Sequence, residues 1–483
     1  MSYVGAPAVD LPVRIGVRNP RTGAEDYAIE RQAPGPVAAD LRARQTAWAG
    51  LGSEGRAAQL RAFADAIRRR REGIVAALTA DTGRRAISAV EVEGLLRVIE
   101  RWAASAPALI AAQQAAPVPT AVPGIAASSR LVPYPLVGAI SPWNFPLTLA
   151  MIDAIPALAA GCAVLVKPSE ITPRFIRPLM AAVAEVPALP LALIEGDGET
   201  GAQLVDVVDY VVFTGSVATG RKVGEAAARA FIPASLELGG KDAMIVLASA
   251  DPVAAARTAL RASVVNTGQA CQSIERLIVA RGIAEPFLAA LVEGAEAVRL
   301  NWPDISVGDI GPFIFARQAD IVQAQIDEAL ARGARLLTGG KVEALGGGLY
   351  LRPTILIDVT AEMAVLADET FGPVLPVCLF DTVEEAVALA NAGEFGLSAA
   401  VLAGTAEEAE AVAVRLNAGA VSINDGALTS MIWEAEKSSF GFSGLGPSRM
   451  GASGLLRFFR RQALIRQSGT PLPLSAYAEE TLP

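Results

Sequence analysis

The apolar positions along the chain change rhythm near residue 137. From about residue 36 to 114 they recur at helical spacing with charge between them, as in LRAFADAIRRRREGIVAALTA at 60–80. The run Arg68–Arg71 inside that stretch reads as a solvated helix face rather than a binding patch. From 137 onward, short apolar runs take over: VGAI (137–140), AVLVK (163–167), ALIEG (192–196) and YVVF (210–213). Each is followed by turn residues and then a helical pattern, which predicts βαβ units around a parallel sheet. A second alternation runs from LELGGKDAMIVL (236–247) through ERLIVA (275–280) and PVLPVCLF (373–380) to AVSIN (420–424). Two α/β domains meeting near residue 240 are therefore expected. The Pro-rich stretch AAPVPTAVPGIAASSRLVPYPL (115–136) predicts an excursion or β-hairpin, and RRQALIRQSGTPLPL (460–474) a late strand that leaves the body of the subunit.

LTLAMIDAIPALAAGCAVLVK at 147–167 is long and apolar enough to be mistaken for a membrane span. Asp153 and Pro156 interrupt it and Gly161 splits it, so a buried helix followed by a buried strand is expected and no membrane partner. Net charge is −9, from 41 basic and 50 acidic residues with no long basic tract, which argues against nucleic acid and anionic membrane as partners. The opening MSYVGAPAVDLPVR lacks a basic start and apolar run, so no secretory leader is expected. Cys162, Cys271 and Cys378 have neither metal spacing nor a disulfide framework, which favours a reducing, cytoplasmic setting and no metal.

The chain has no histidine. Ser–His–Asp triads, Cys–His pairs and histidine metal sites are excluded, and acid–base work falls to carboxylate, lysine, tyrosine or a cofactor. Cys271, among small residues in NTGQACQSIER (266–276), would let backbone and substrate approach closely. Glu237 precedes Gly-Gly in SLELGGKDAMIV (235–246), and a carboxylate amid apolar residues suits a general base; a structural ion pair is the alternative. Asn144, in GAISPWNFPLTL (138–149), either caps the next helix or aims its NH₂ into a site. In VLVKPSEITP (164–173), Lys167 and Glu170 could bond the hydroxyls of a nucleotide ribose or simply each other. In YVVFTGSVATGRKV (210–223) a strand ends at Thr214-Gly215-Ser216 and a helix begins near Val217. That geometry serves a phosphate or an ordinary tight turn.

Taken together and in order, SPWNFP, KPSE, FTGS, LELGGK, GQAC and ETFGPV (369–374) resemble the NAD(P)-dependent aldehyde dehydrogenase superfamily, over roughly residues 18–467. The resemblance implies a Rossmann-like cofactor domain (1–114 and 137–240), an α/β catalytic domain (241–440) and a small β oligomerisation element (115–136 and 460–483). It also implies a homodimer or homotetramer. Cys271 matches the family nucleophile, Asn144 the oxyanion donor and Glu237 the base that activates water, whose presence argues against the CoA-acylating branch. Ser141, Trp143, Lys167, Ser169, Glu170, Gly215, Ser216, Gly220, Leu238, Glu369 and Phe371 match cofactor-binding positions. Glu170 would repel a 2′-phosphate, so NAD is expected over NADP.

Phe145, Leu149, Ile152 and Gln272 are the expected substrate tunnel, and no Lys or Arg lies between Phe145 and Leu158. An apolar aliphatic or aromatic aldehyde follows. The alternatives are a semialdehyde dehydrogenase, with Lys437 or Arg449 supplying a cation, and an inactive binding protein on the same fold. The chain departs from the family in IWEAEKSSFGFSGLGPSRMG (432–451), where Pro447 and Ser448 stand in place of a common acidic residue that relays protons.

Overall fold

A computed structural model describes residues 13–113 and 116–479. The reading of the first twelve residues, the start of the 115–136 stretch and the end of 460–483 lie outside them.

Two sheets organise the chain. The first has six strands, in spatial order Gly444–Leu445, Ala234–Glu237, Tyr210–Thr214, Leu136–Ile140, Ala163–Lys167, Leu191–Leu193. All neighbours are parallel except the first pair. Alternate residues serve opposite faces: Val164 and Val166 enter one core with Trp102, Met151 and Phe175, while Ala163 and Leu165 enter another with Leu204 and Phe213. A strand covered on both faces must be apolar throughout, which is why these segments read as unbroken runs. The second sheet has seven strands, in order Arg335–Thr338, Thr354–Ile357, Val374–Phe380, Ile274–Ala280, Asp242–Val246, Ala399–Leu402, Val421–Ile423. Only the Arg335–Thr338 pairing is antiparallel. The chain passes between sheets over four residues, leaving the first after Glu237 and entering the second at Asp242.

The helical start is present as Pro34–Gly50, Gly52–Arg69, Arg71–Thr82 and Arg85–Ala111. Its arginine run is solvated as expected, with Arg68 paired to Asp65, Arg69 and Arg70 to Glu185, and Arg71 to Glu93. The apolar 147–167 stretch is two short helices, Pro146–Met151 and Ala154–Ala160, before its strand, because the backbone breaks at Asp153 as well as at Gly161. No helix among the described residues is long and apolar enough to cross a membrane.

Ile125–Pro133 pairs with Val118–Pro119 and along its whole length with Phe459–Gln467, forming a three-stranded sheet whose late strand is exposed at eight of nine positions. Two features were not expected. Arg14–Arg18 and Glu25–Glu30 form an antiparallel hairpin in which only Val17 and Ile29 are buried. Residues 444–458 return to the first sheet, with Gly444–Leu445 on Ala234–Glu237 and Leu455 and Phe458 in its core.

Candidate active site

The chain order of the first sheet reverses at its centre. From Leu136–Ile140 the chain moves outward to 163–167 and 191–193, then returns to the other side at 210–214 and 234–237. The carboxyl ends of Leu136–Ile140 and Tyr210–Thr214 therefore flank the crevice in which open α/β sheets take ligands. Ser141 sits at that point, buried, its hydroxyl without a hydrogen-bond partner among the described residues. An unpaired buried hydroxyl at a strand end is what a ligand's polar group would complete. Lys167 closes the neighbouring strand; its buried ammonium lies 2.9 Å from Glu170, which is one-third exposed. Ser169 accepts from the Ile171 N–H, and Thr172 bonds the Trp143 carbonyl, tying the two turns together.

On the other side of the crevice Ser216 caps the helix Val217–Ala230 by accepting from the Thr219 N–H. The Gly215 N–H donates to the Glu237 carbonyl. A Cβ on Gly220 would lie 2.5 Å from Leu238, so a side chain there would push the helix off the strand end. Trp143 meets the ring of Phe371 edge-on at 5.4 Å, and Glu369 accepts from the Gly240 N–H at 3.1 Å. Burial, and then the charge of Glu275, lift the Glu369 carboxyl to about 8. The 369–371 turn is fixed by a buried pair, Lys241 and Glu275 at 2.8 Å. Glu275 accepts from the Thr370 and Phe371 N–H groups, and Lys241 donates to the Thr370 hydroxyl. These groups, on facing ends of the two sheets, fit a dinucleotide: a hydroxyl awaiting a partner, a helix start kept clear by Gly220, and an aromatic pair.

The cysteine loop is held by backbone few residues adopt. Asn266, Thr267 and Gly268 are successively left-handed (φ 63°, 59° and 68°), and a Cβ on Gly268 would lie 2.3 Å from the Gly372 carbonyl. Side chains compensate: Asn266 Nδ2 donates to the Gln269 carbonyl, Thr267 to Gly311, and Gln269 accepts from the Ile314 N–H. Asn144 is buried and also donates its Nδ2 to the Gln269 carbonyl, at 3.0 Å, which sets the SPWNFP turn against this loop. An amide NH₂ carries two donors, and this bond uses one. The Asn144 carbonyl accepts from Arg84 and Asn266.

Cys271 opens into a cavity of about 480 Å³. Phe145, Leu149, Ile152, Gln272, Glu237 and Leu238 line it too, so the predicted tunnel residues, nucleophile and carboxylate share one space. Burial pushes the Cys271 thiol up to about 12; Lys437 and Arg449 pull it down, while Asp242 and Glu369 add to the rise. The apolar setting expected of Glu237 is not found. Its Oε2 accepts from the Ser439 hydroxyl at 3.2 Å and its Oε1 lies 3.8 Å from Arg449 Nε. Burial works against the Arg449 charge, but the carboxylates of Asp153 and Glu237 hold the guanidinium above its ordinary range.

Sequence reasoning missed other walls of the cavity, among them Val90, Arg97 and Arg101 from the long helix Arg85–Ala111 and Met431, Ile432 and Trp433 from the divergent loop. Helical spacing shows that helix to be amphipathic but not which stripe faces a cavity. A larger hollow of about 790 Å³ near Asn19, Arg71 and Arg85 contains none of the predicted residues.

Comparison with known proteins agrees with this geometry. Residues 15–464 match the aldehyde dehydrogenase family. A solved structure of PutA from Anabaena variabilis, provisionally named an aldehyde dehydrogenase, superposes with a TM-score of 0.92 at 52% identity, covering 96% of this chain and 99% of that one. A Mycobacterium tuberculosis protein, provisionally named succinate-semialdehyde dehydrogenase [NADP(+)] 2, is 37% identical over 88% of this chain and 83% of its own length. The 4,4'-diapolycopene aldehyde oxidase of a Methylomonas species is 38% identical over 76% of this chain and 69% of its own. A thiol and a carboxylate facing one cavity, an amide bonded onto the cysteine loop, and a family match from residue 15 to 464 make the protein a member of the aldehyde dehydrogenase family, which oxidises aldehydes with NAD(P).

Proposed function

We propose that this protein oxidises an apolar aliphatic or aromatic aldehyde to its carboxylic acid with NAD, through a thiohemiacetal and then a thioester on Cys271. The observation that carries the reading is the single cavity shared by Cys271, Glu237 and the tunnel residues, with Asn144 bonded onto the cysteine loop. Ser141, Trp143, Lys167, Ser169, Glu170, Gly215, Ser216, Gly220, Leu238, Glu369 and Phe371 would hold the dinucleotide. Once bound, oxidised nicotinamide supplies a hydride acceptor and a positive charge beside the thiol.

As thiolate, Cys271 bonds to the aldehyde carbon. The resulting oxyanion is met by the free Asn144 amide hydrogen and the Cys271 N–H, donors placed where charge develops. When hydride has left that carbon, Cys271 carries the acyl group as a thioester. Glu237 then takes a proton from water, the hydroxide oxygen bonds to the acyl carbon, and the C–S bond breaks to release the acid. Glu237 makes the reaction hydrolytic rather than CoA-acylating.

NAD is favoured because the Glu170 carboxylate stands beside Lys167, where a 2′-phosphate would meet like charge. An apolar substrate is supported by Phe145, Leu149, Ile152, Val98 and Trp433 along the tunnel. The cavity's cations favour the semialdehyde reading: Arg97, Arg101 and Lys437 line it and make no ion pair among the described residues. The division into cofactor, catalytic and oligomerisation parts belongs to the same proposal, as do a reducing compartment, suited to three free cysteines, and assembly in twos or fours. Assembly is supported by Leu464, Ile465 and Leu472, all exposed on the late strand and just beyond it.

Incubation with NAD and hexanal, benzaldehyde or succinate semialdehyde tests the reading. NADH should form fastest with the first two and not at all with Cys271→Ala. Equal NADH from that variant would remove Cys271 as nucleophile, and a preference for succinate semialdehyde would decide for the alternative.

A further inference from the structure

Arg449 is fixed by elements distant in sequence. Its Nη2 lies 2.9 Å from Asp153 and donates to the Thr214 hydroxyl at 2.8 Å. Asp153, itself buried, is gripped from behind by Arg457. Of the donors left over, Arg449 Nε–H is buried, has no hydrogen-bond partner among the described residues, and stands 3.8 Å from Glu237 Oε1. That separation is just beyond a hydrogen bond. It sets a positive charge beside the carboxylate while leaving the carboxylate free to turn.

We propose that Arg449, anchored by Asp153 and Thr214, is a positioning residue that keeps the Glu237 carboxylate aimed at the water that hydrolyses the Cys271 thioester. The proposal rests on Glu237 being the base of that step. Water's oxygen bonds to the acyl carbon, its proton passes to Glu237, and the C–S bond breaks to return Cys271 as thiolate. A guanidinium keeps its own proton across the working range and cannot carry this one away. The Ser439 hydroxyl, already on Glu237, is placed to pass it on to solvent beside the exposed Ser438. This replaces the acidic relay whose place Ser448 takes.

Other charged groups also face Glu237. Lys437 and Cys271 share its cavity, Glu369 lies against the Gly239–Gly240 turn, and Asp153 stands behind Arg449. Among the described residues Arg449 alone is within ion-pair distance.

The test compares wild type with Arg449→Met, Arg449→Lys, Glu237→Gln and the Arg449→Met/Glu237→Gln double variant. The rapid NADH burst reports thioester formation and steady-state turnover reports hydrolysis. Arg449→Met should keep the burst, lose about ten-fold or more in turnover, and shift the acidic limb of its pH–rate profile upward by about one unit or more. Arg449→Lys should restore most of that displacement, and Arg449→Met should add nothing in the Glu237→Gln background. An unmoved acidic limb, or full additivity with Glu237→Gln, overturns the proposal. Absence of any burst in wild type instead overturns the thioester reading beneath it. Should Arg449→Met not fold, Thr214→Val removes one anchor and must move the limb the same way by less; an unmoved limb there overturns the proposal equally.

Discussion

On the proposed preference for NAD, the carboxylate of Glu170 is the group that decides between the two dinucleotides. It is one-third exposed and bonded to a buried lysine, so it is fixed in place yet reachable. Like charges brought together at an interface disfavour binding strongly. Glu170→Gln keeps the shape and removes the charge, and should improve kcat/KM for NADP by about ten-fold, about 1.4 kcal/mol, with little change for NAD. Steady-state kinetics with both dinucleotides check it. Cys271 drew notice in the sequence among small residues, Asn144 as an amide between two bulky aromatics, and Glu170 as a carboxylate just after a strand-ending lysine. Arg449 drew less. Its meaning lies in Asp153, Thr214 and Glu237, which no local spacing connects to it, and the apolar setting first read for Glu237 failed because its neighbours come from residues 439 and 449.

Strands buried on both faces announced themselves as apolar runs, so most of both sheets and the crossing near residue 240 could be read before any coordinates. The hairpin of Arg14–Arg18 and Glu25–Glu30 could not, since a strand with one buried residue has no pattern to detect. Nor could the return of 444–458, where a two-residue strand borrows its register from Ala234–Glu237. What holds the 369–371 turn against the second sheet is the Lys241–Glu275 pair, one partner at the start of each of two adjacent strands. Burial lowers the Lys241 ammonium below its ordinary range, and the charge and hydrogen bond of Glu275 oppose that fall. Removing one partner strands the other. Lys241→Met should therefore cost about 3–5 kcal/mol in denaturant unfolding and weaken NAD binding by releasing the 369–371 turn, whereas a surface change such as Arg335→Met should do neither.

Across the whole molecule, several buried carboxyls hold protons that an unfolded chain would release. Asp242, buried and bonded to the Ser398 N–H and hydroxyl, is lifted to about 7, as are Asp81 and Glu91. Between the ordinary aspartate range and about 7 the folded chain keeps protons that the unfolded chain has lost. Their contribution to stability is thus complete in acid and disappears as pH rises through about 7. The melting temperature should fall between pH 5 and pH 8, and Asp242→Asn should flatten that fall; calorimetry at a series of pH values reads both.

The raised thiol of Cys271 has a consequence for the resting enzyme. A sulfur that stays protonated is a poor target for peroxide and alkylating agents. Iodoacetamide should therefore modify Cys271 slowly in the free protein and faster once NAD is added, which mass spectrometry of the labelled peptide reads.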